Sequence, residues 1–329
     1  MLIHFIQLIG GFLLLVWAAD RLVAGASATA RNLGVSPLII GLVIVGFGTS
    51  APELMVSAVA SARDNAGLAV GNAIGSNIVN MGLILGLTAM IYPLRIESTT
   101  LKREYPLLLL IMLVSLLLAL DRELSRLDGV LFIAGLLAMV YWLVRLGMQR
   151  PETDPLAREL AAEIPADIPT RIAVFWLLIS LVALPAASHF LVEGAVGLAR
   201  SIGVNDTVIG LTVVALGTSL PELATAVTSA FRKEDDLAIG NIIGSNMFNL
   251  LGVLGVAALI SPVEVMPMIL GRDFPVMFLL TGVMFLLASD FRGPGRISRS
   301  AGAMLMGIFL AYQLLVWTSA GSFVTTPAG

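Results

Sequence analysis

The sequence predicts an all-α membrane protein whose ten transmembrane helices form two inverted five-helix repeats. Three observations carry this expectation: too little charge to cover a water-soluble surface, ten apolar stretches of spanning length, and two motif blocks that recur at one fixed distance. Of 329 residues, 58% are hydrophobic and 12% charged, with mean hydropathy +0.97; a soluble domain carries about 25% charged residues. A hydrocarbon core of ~30 Å takes ~20 apolar residues per helix. Ten spans and their loops therefore use up the chain and leave no sizeable aqueous domain.

In order, the spans fall near 3–28, 36–62, 67–92, 104–120 and 128–148, then 171–198, 206–231, 236–261, 270–289 and 301–319. The first begins MLIHFIQLIGGFLLLVWAAD. It has neither a basic n-region nor a small-residue cleavage site, so it reads as a retained span and not a removable signal. Between the fifth and sixth spans lies RPETDPLARELAAEIPADIPTR, Arg150 to Arg171, rich in charge and proline and read as a linker. It divides the chain into 1–149, 150–171 and 172–329. Its acids Glu152, Asp154, Glu159, Glu163 and Asp167 lack EF-hand spacing and read as a solvated loop. With the N-terminus outside, loops on the linker side carry thirteen basic residues, Arg31, Arg95, Arg145 and Arg232 among them. The opposite loops carry five: Arg63, Arg122, Arg126, Arg200 and Arg272. The positive-inside rule then places the linker in the cytoplasm and both termini outside.

Several function classes drop out. A net charge of −3 offers nucleic acid no basic surface. With no cysteine, thiolate metal sites, iron–sulfur clusters and Cys nucleophiles are absent. His4 and His189 are the only histidines, too few for a zinc or haem site. Ser188 and His189 are adjacent and point apart on a helix, which leaves no nucleophile–base pair and no reason to expect an enzyme or a cofactor.

The repeat is literal. GTSAPEL at 48–54 returns as GTSLPEL at 217–223, and GNAIGSNIVN at 71–80 returns as GNIIGSNMFN at 240–249, both 169 residues on. The same offset pairs Gly41-Leu42 with Gly210-Leu211 and Arg31 with Arg200. Five spans separate the copies, and an odd number reverses the direction of crossing, so the repeats are inverted. A pseudo-two-fold axis in the membrane plane then brings equivalent residues together near mid-bilayer.

A carboxylate at the bilayer centre costs at least ~3 kcal/mol, so Glu53 and Glu222 need a compensating partner. Thr49 and Glu53, like Thr218 and Glu222, stand four apart and read as one helical face, with Ser50 or Ser219 beside them. Pro52 and Pro221 have no N–H to give the carbonyls of Gly48 and Gly217, which implies broken helices and free backbone oxygens. On the partner helices Ser76/Asn80 and Ser245/Asn249 are also four apart, thickened by Asn72, Asn77, Asn241 and Asn246. The Gly71/Gly75 and Gly240/Gly244 pairs have the small-xxx-small spacing of close helix contacts. Lone intramembrane Ser, Thr and Gly ordinarily serve packing, and Asn72 and Asn241 fit a bond to a neighbouring helix as well as a ligand role. Packing gives no reason for two matched acids. Carboxylates, hydroxyls, amides and carbonyls without sulfur or imidazole form a hard-ligand set that suits Ca²⁺.

The paired GTS-x-PE and GN-x-x-GSN-x-x-N blocks resemble the two alpha-repeats of the calcium/cation antiporter superfamily, here over 41–86 and 210–255, and more narrowly its bacterial inner-membrane sodium/calcium exchanger-like branch. The resemblance implies Na⁺/Ca²⁺ antiport by alternating access, with the first and sixth spans sliding over an ion-holding core. It makes Glu53 and Glu222 the shared calcium ligands, with Thr49, Ser50, Ser76, Asn80, Thr218, Ser219, Ser245 and Asn249 around them. It adds the carbonyls of Gly46 and Ala215 to the sodium sites. Some exchangers have Asp where this chain has Asn80 or Asn249, which leaves stoichiometry and potassium coupling open. The transported ions, Ca²⁺ and Na⁺, and the bilayer are the expected partners.

The mechanism expected of such a site is electrostatic. Two bare carboxylates in low dielectric are too costly to carry through an occluded state, whereas one Ca²⁺ or several Na⁺ neutralise them, and protons compete as pH falls. A proton-coupled calcium antiporter shares the two glutamates, and a cation channel and an intramembrane hydrolase are more distant readings. Among other intramembrane charges, Asp20 and Arg21 read as mutually compensating or snorkelling, and Glu193, with no acidic mate at the repeat offset, reads as a candidate lining of an ion path.

Overall fold

The computed structural model describes residues 1–35, 46–96, 99–149, 168–288 and 295–321. The linker from 150 to 167, the start of the second span at 36–45 and the Gly41-Leu42 match lie outside them. Apolar runs between charged or Gly/Pro-containing turns fold as helices: α1 (Leu2–Asn32), the short α2 (Gly46–Thr49), α3 (Ala51–Ala62), α4 (Ala66–Ile91), α5 (Thr99–Ala119) and α6 (Arg126–Gln149). The second half gives α7 (Thr170–Ile202), α8 (Asp206–Thr218), α9 (Leu220–Arg232), α10 (Asp235–Ile260), α11 (Ile269–Leu287) and α12 (Arg299–Gly321). Every stretch read as a span falls on one or two of these. Among the described residues seven helices are long and apolar enough to cross a bilayer, and the bent α8–α9 pair makes an eighth.

At 31 and 33 residues, α1 and α7 are far longer than the ~20 residues a perpendicular span needs. They lie antiparallel and pack chiefly on each other. The contact is backbone-close at two places related by the repeat: Gly25 lies against Ala173 and Leu177, and Gly194 against His4 and Leu8. The pair rests unevenly on the rest of the molecule. α7 packs closely along α3, whereas the mirror contact of α1 on α9 is sparse. Val56 of α3 is buried while its counterpart Thr225 is partly open.

α4 and α10 form the centre, the most enclosed of the long apolar helices. Gly71 of α4 and Gly210 of α8 meet face to face, each placed so that a Cβ would lie 3.1 Å from the other's Cα. That bears out the close approach expected of Gly71/Gly75; the stretch equivalent to Thr207–Leu211 that would face Gly240/Gly244 falls outside the described residues. Two short antiparallel ribbons join the halves: β1 (Leu94–Ile96) pairs with β4 (Gly295–Ile297), and β2 (Glu123–Leu124) with β3 (Val263–Glu264).

A partly buried ion pair on α11 is tied to α12 through Tyr312. Asp273 is fully buried, receives Arg272 Nε at 2.6 Å and Arg272 Nη2 at 3.2 Å, and accepts from Tyr312 Oη at 3.0 Å. Asp273→Asn leaves a guanidinium that cannot deprotonate without its counter-ion. It should cost about 3–5 kcal/mol, read as a large fall in the thermal midpoint of the purified protein.

Candidate cation site

Four motif segments build the site. Pro52 and Pro221 stand in the first turns of α3 and α9, where the missing N–H is harmless. The residues that precede these helices, Ser50 (φ −85°, ψ 4°) and Ser219 (φ −84°, ψ 10°), leave helical geometry in the same way. Both halves therefore contain the expected break, and α8 and α9 bend by 43° across it. One expectation changes. Thr49 and Glu53, and likewise Thr218 and Glu222, do not share a continuous helical face, because the break falls between them.

Glu53 and Glu222 lie fully buried in the first turns of α3 and α9, where the helix dipole favours negative charge. Each carboxylate is held by the serine of the opposite half: Ser219 Oγ donates to Glu53 Oε1 at 3.0 Å, and Ser50 Oγ to Glu222 Oε1 at 3.4 Å. The rest of the site is crossed in the same fashion. Thr218 Oγ1 donates to Asn72 Oδ1 (3.0 Å) and Thr49 Oγ1 to Asn241 Oδ1 (3.2 Å). Ser76 meets Thr218 and Ser245 meets Thr49, hydroxyl to hydroxyl, at 3.5 and 3.3 Å. Asn80 Nδ2 donates to Asn246 Oδ1 (3.0 Å) and Asn249 Nδ2 to Asn77 Oδ1 (3.1 Å). Ser245 Oγ adds a bond to Glu222 Oε1 at 3.2 Å.

With these bonds made, Glu53 Oε2, Glu222 Oε2, Asn80 Oδ1 and Asn249 Oδ1 have no partner among the described residues. All four belong to fully buried residues, and they form two pairs related by the repeat. A buried acceptor left unsatisfied costs about 1–3 kcal/mol, and more when charged. All four are hard oxygen donors of the kind that suits Ca²⁺ or Na⁺ and not a soft metal. Asn80 lies in the π-helical stretch Val79–Ile84 and Asn249 opens another, Asn249–Val253. Such bulges re-aim side chains that an α-helical register would send elsewhere.

The remaining expected positions fare differently. Gly46 opens α2 at the edge of the described residues. The Ala215 carbonyl accepts the Ser219 N–H at 3.1 Å, closing the last turn of α8. Asn72 donates to the Glu53 carbonyl (3.1 Å) and Ser57 Oγ (3.0 Å), so it props the broken helix from behind. Asp20 pairs with Arg21 at 3.6 Å, and the guanidinium lies over Trp176. Ser188 Oγ donates to the Leu184 carbonyl, not to an imidazole. Glu193 meets Arg63 at 3.4 Å, His189 at 3.5 Å and Gln7 at 3.1 Å. It lines a cavity of about 460 Å³ with His4 and Arg200, next to Arg63 at the end of α3, ten residues and roughly 15 Å of helix from Glu53.

The Arg272–Asp273 pair escaped the sequence reading although a signal was present. LGRDFP at 270–275 repeats LKREYP at 101–106 at the same offset of 169, and Glu104, like Asp273, is buried.

Comparison with known proteins places this geometry in a family. The sodium/calcium exchanger protein profile matches residues 3–145 and 172–318, two stretches whose starts are again 169 apart. The inner membrane protein YrbG of Escherichia coli (strain K12) is 44% identical over 322 residues, 97% of this chain and 98% of its own. The sodium/calcium exchanger MaX1 of Methanosarcina acetivorans is 32% identical, over 96% of this chain and 99% of its own. Among solved structures, the sodium-calcium exchanger NCX_Mj soaked with Na⁺ and Sr²⁺ superposes with a TM-score of 0.66 at 29% identity, covering 94% of this chain and 97% of that one. Matched in both halves by the profile and along nearly its whole length by these relatives, the chain belongs to the sodium/calcium exchanger family of the calcium/cation antiporter superfamily.

Proposed function

We propose that this protein is a secondary antiporter that exchanges Ca²⁺ for Na⁺ by alternating access, with Glu53 and Glu222 as shared ligands and Asn80, Asn249 and the surrounding hydroxyls completing the sites. The observation that carries this reading is the set of four buried, unpartnered oxygens placed in two repeat-related pairs. Their two negative charges match one divalent ion or a group of monovalent ones. The named substrates of MaX1 and NCX_Mj supply the choice of ions.

Ten spans in two inverted halves fit the same reading. The ribbons are consistent with it: six of the proposed spans lie between β1 and β4 and four between β2 and β3, even numbers that put each pair on one membrane face. The excess of Arg and Lys on the linker side orients the linker to the cytoplasm and the termini outward, in an inner membrane like that of YrbG.

The test is flux. In proteoliposomes an outward sodium gradient should drive ⁴⁵Ca²⁺ uptake, a protonophore should leave that uptake intact, and acidification from about pH 8 to about pH 5 should depress it as protons occupy the carboxylates. Uptake driven by a pH gradient with no sodium present would replace sodium coupling by proton coupling. Flux indifferent to acid would contradict a site built on two carboxylates.

A further inference from the structure

The two asparagines of the GSN triplets, Asn77 and Asn246, contribute no unpartnered oxygen to the site, yet each reaches across the repeat to an asparagine that does. We infer that Asn77 and Asn246 are positioning residues that fix the amides of Asn249 and Asn80 with oxygen toward the cation and nitrogen away. This inference rests on the proposed cation site and adds to it the question of how a neutral amide is kept the right way round.

The argument begins at a backbone carbonyl, which can only accept. Asn77 Nδ2 donates to the Asn246 carbonyl at 3.2 Å and approaches Met277 Sδ at 3.6 Å. Both contacts call for the nitrogen end of the Asn77 amide, so its oxygen is the end left to face Asn249. That oxygen requires a donor and receives Asn249 Nδ2 at 3.1 Å. Asn249 Oδ1 is thereby turned away from Asn77 and becomes one of the four open oxygens. In the other half Asn80 Nδ2 donates to Asn246 Oδ1 at 3.0 Å, and Asn80 Oδ1 is left open in the same way. All four asparagines are buried, so water is not there to compete for either end of an amide.

An amide has one end that attracts a cation and one that repels it, and rotation about χ2 exchanges them. Without the holding bond, Asn249 or Asn80 could present its N–H₂ to the ion. A carboxylate has no wrong end. The dependence on Asn77 should therefore vanish when Asn249 is replaced by Asp, and the dependence on Asn246 when Asn80 is replaced by Asp. A residue needed only for packing would not be relieved in this manner.

The experiment is equilibrium ⁴⁵Ca²⁺ binding to the purified full-length protein in detergent, with size-exclusion elution confirming the fold. Asn77→Leu, close to Asn in shape, should weaken Ca²⁺ binding by about 10–100-fold, the usual effect of removing an outer partner of a metal ligand. Asn77→Leu with Asn249→Asp should recover to the binding of Asn249→Asp alone, the reference that carries the same added charge. The mirror set, Asn246→Leu with and without Asn80→Asp, repeats the test should the first variant fail to fold. Unchanged binding in the single variants, or no recovery in the doubles, overturns the inference. Calcium binding that behaves as described while sodium drives no calcium flux would instead overturn the proposed exchange and leave the positioning role intact. A wild-type protein that binds no Ca²⁺ removes both.

Discussion

Glu53→Gln and Glu222→Gln should each lower sodium-driven calcium uptake at least ~100-fold while leaving the folded protein in the membrane. The fold survives because Gln retains the oxygen that accepts the Ser219 or Ser50 hydroxyl. The ion does not, because the charge at the unpartnered Oε2 is lost. A unit charge about 4 Å from a divalent cation contributes several kcal/mol even at an effective dielectric of ~20, and each 1.4 kcal/mol is tenfold in binding. Because each carboxylate brings its own charge to the one ion, the double variant should be at least as impaired as either single one. The measurement is ⁴⁵Ca²⁺ flux normalised to protein recovered as a monodisperse peak. Near-normal flux in either variant would remove the shared-carboxylate site.

The second large effect is on the fold. At Gly71 an added Cβ would lie 2.4 Å from the Thr207 carbonyl oxygen, 3.0 Å from Leu211 N and 3.1 Å from Gly210 Cα. These are backbone atoms, which cannot turn aside as a flexible side chain would. Gly71→Val should therefore push α8 off α4 at a cost of at least the ~1–3 kcal/mol typical of overpacking. It also displaces Thr218 and Ser219, which α8 and the turn after it deliver to Asn72 and Glu53. Gly307→Ala is the control: a Cβ there meets nothing within 4 Å, and Ala in place of Gly within a helix is favourable by roughly 0.5–1 kcal/mol. Thermal midpoints in detergent should fall sharply for the first and hold or rise for the second. Equal midpoints would mean that the helix crossing is looser than described.

Much of this was readable from the chain because the duplication is so literal. Two copies of GTS-x-PE at one offset identify the intramembrane acids, and Pro52 and Pro221 announce the breaks. What a repeat does not state is which residue of one copy faces which residue of the other. The helical spacing of Thr49 and Glu53 suggested a shared face, and only the turn at Ser50 separates them. The spacing of Ser76 and Asn80 singles out these residues but not the π-helical stretch that holds Asn80. The crossed bonds, Ser219 to Glu53 and Asn249 to Asn77, depend on the docking of the halves, which periodicity does not encode. The Ala215 carbonyl is implied by the resemblance alone, and its bond from the Ser219 N–H follows from the turn after α8, which the spacing does not state. Arg272 and Asp273 were passed over because a charged dipeptide near the end of a span looks like a solvated flank, and its burial is a tertiary fact.

The ribbons that tie β1 to β4 and β2 to β3 bear on which parts of the molecule are held together. They act as hoops around the staves α4 to α6 and α10 to α12, fastening one half to the other at the loops between those helices. Neither ribbon includes α1 or α7, which are bound mainly to each other. A body fastened in this way resists splaying, and under the proposed exchange α1 and α7 are the pair that no ribbon ties to it.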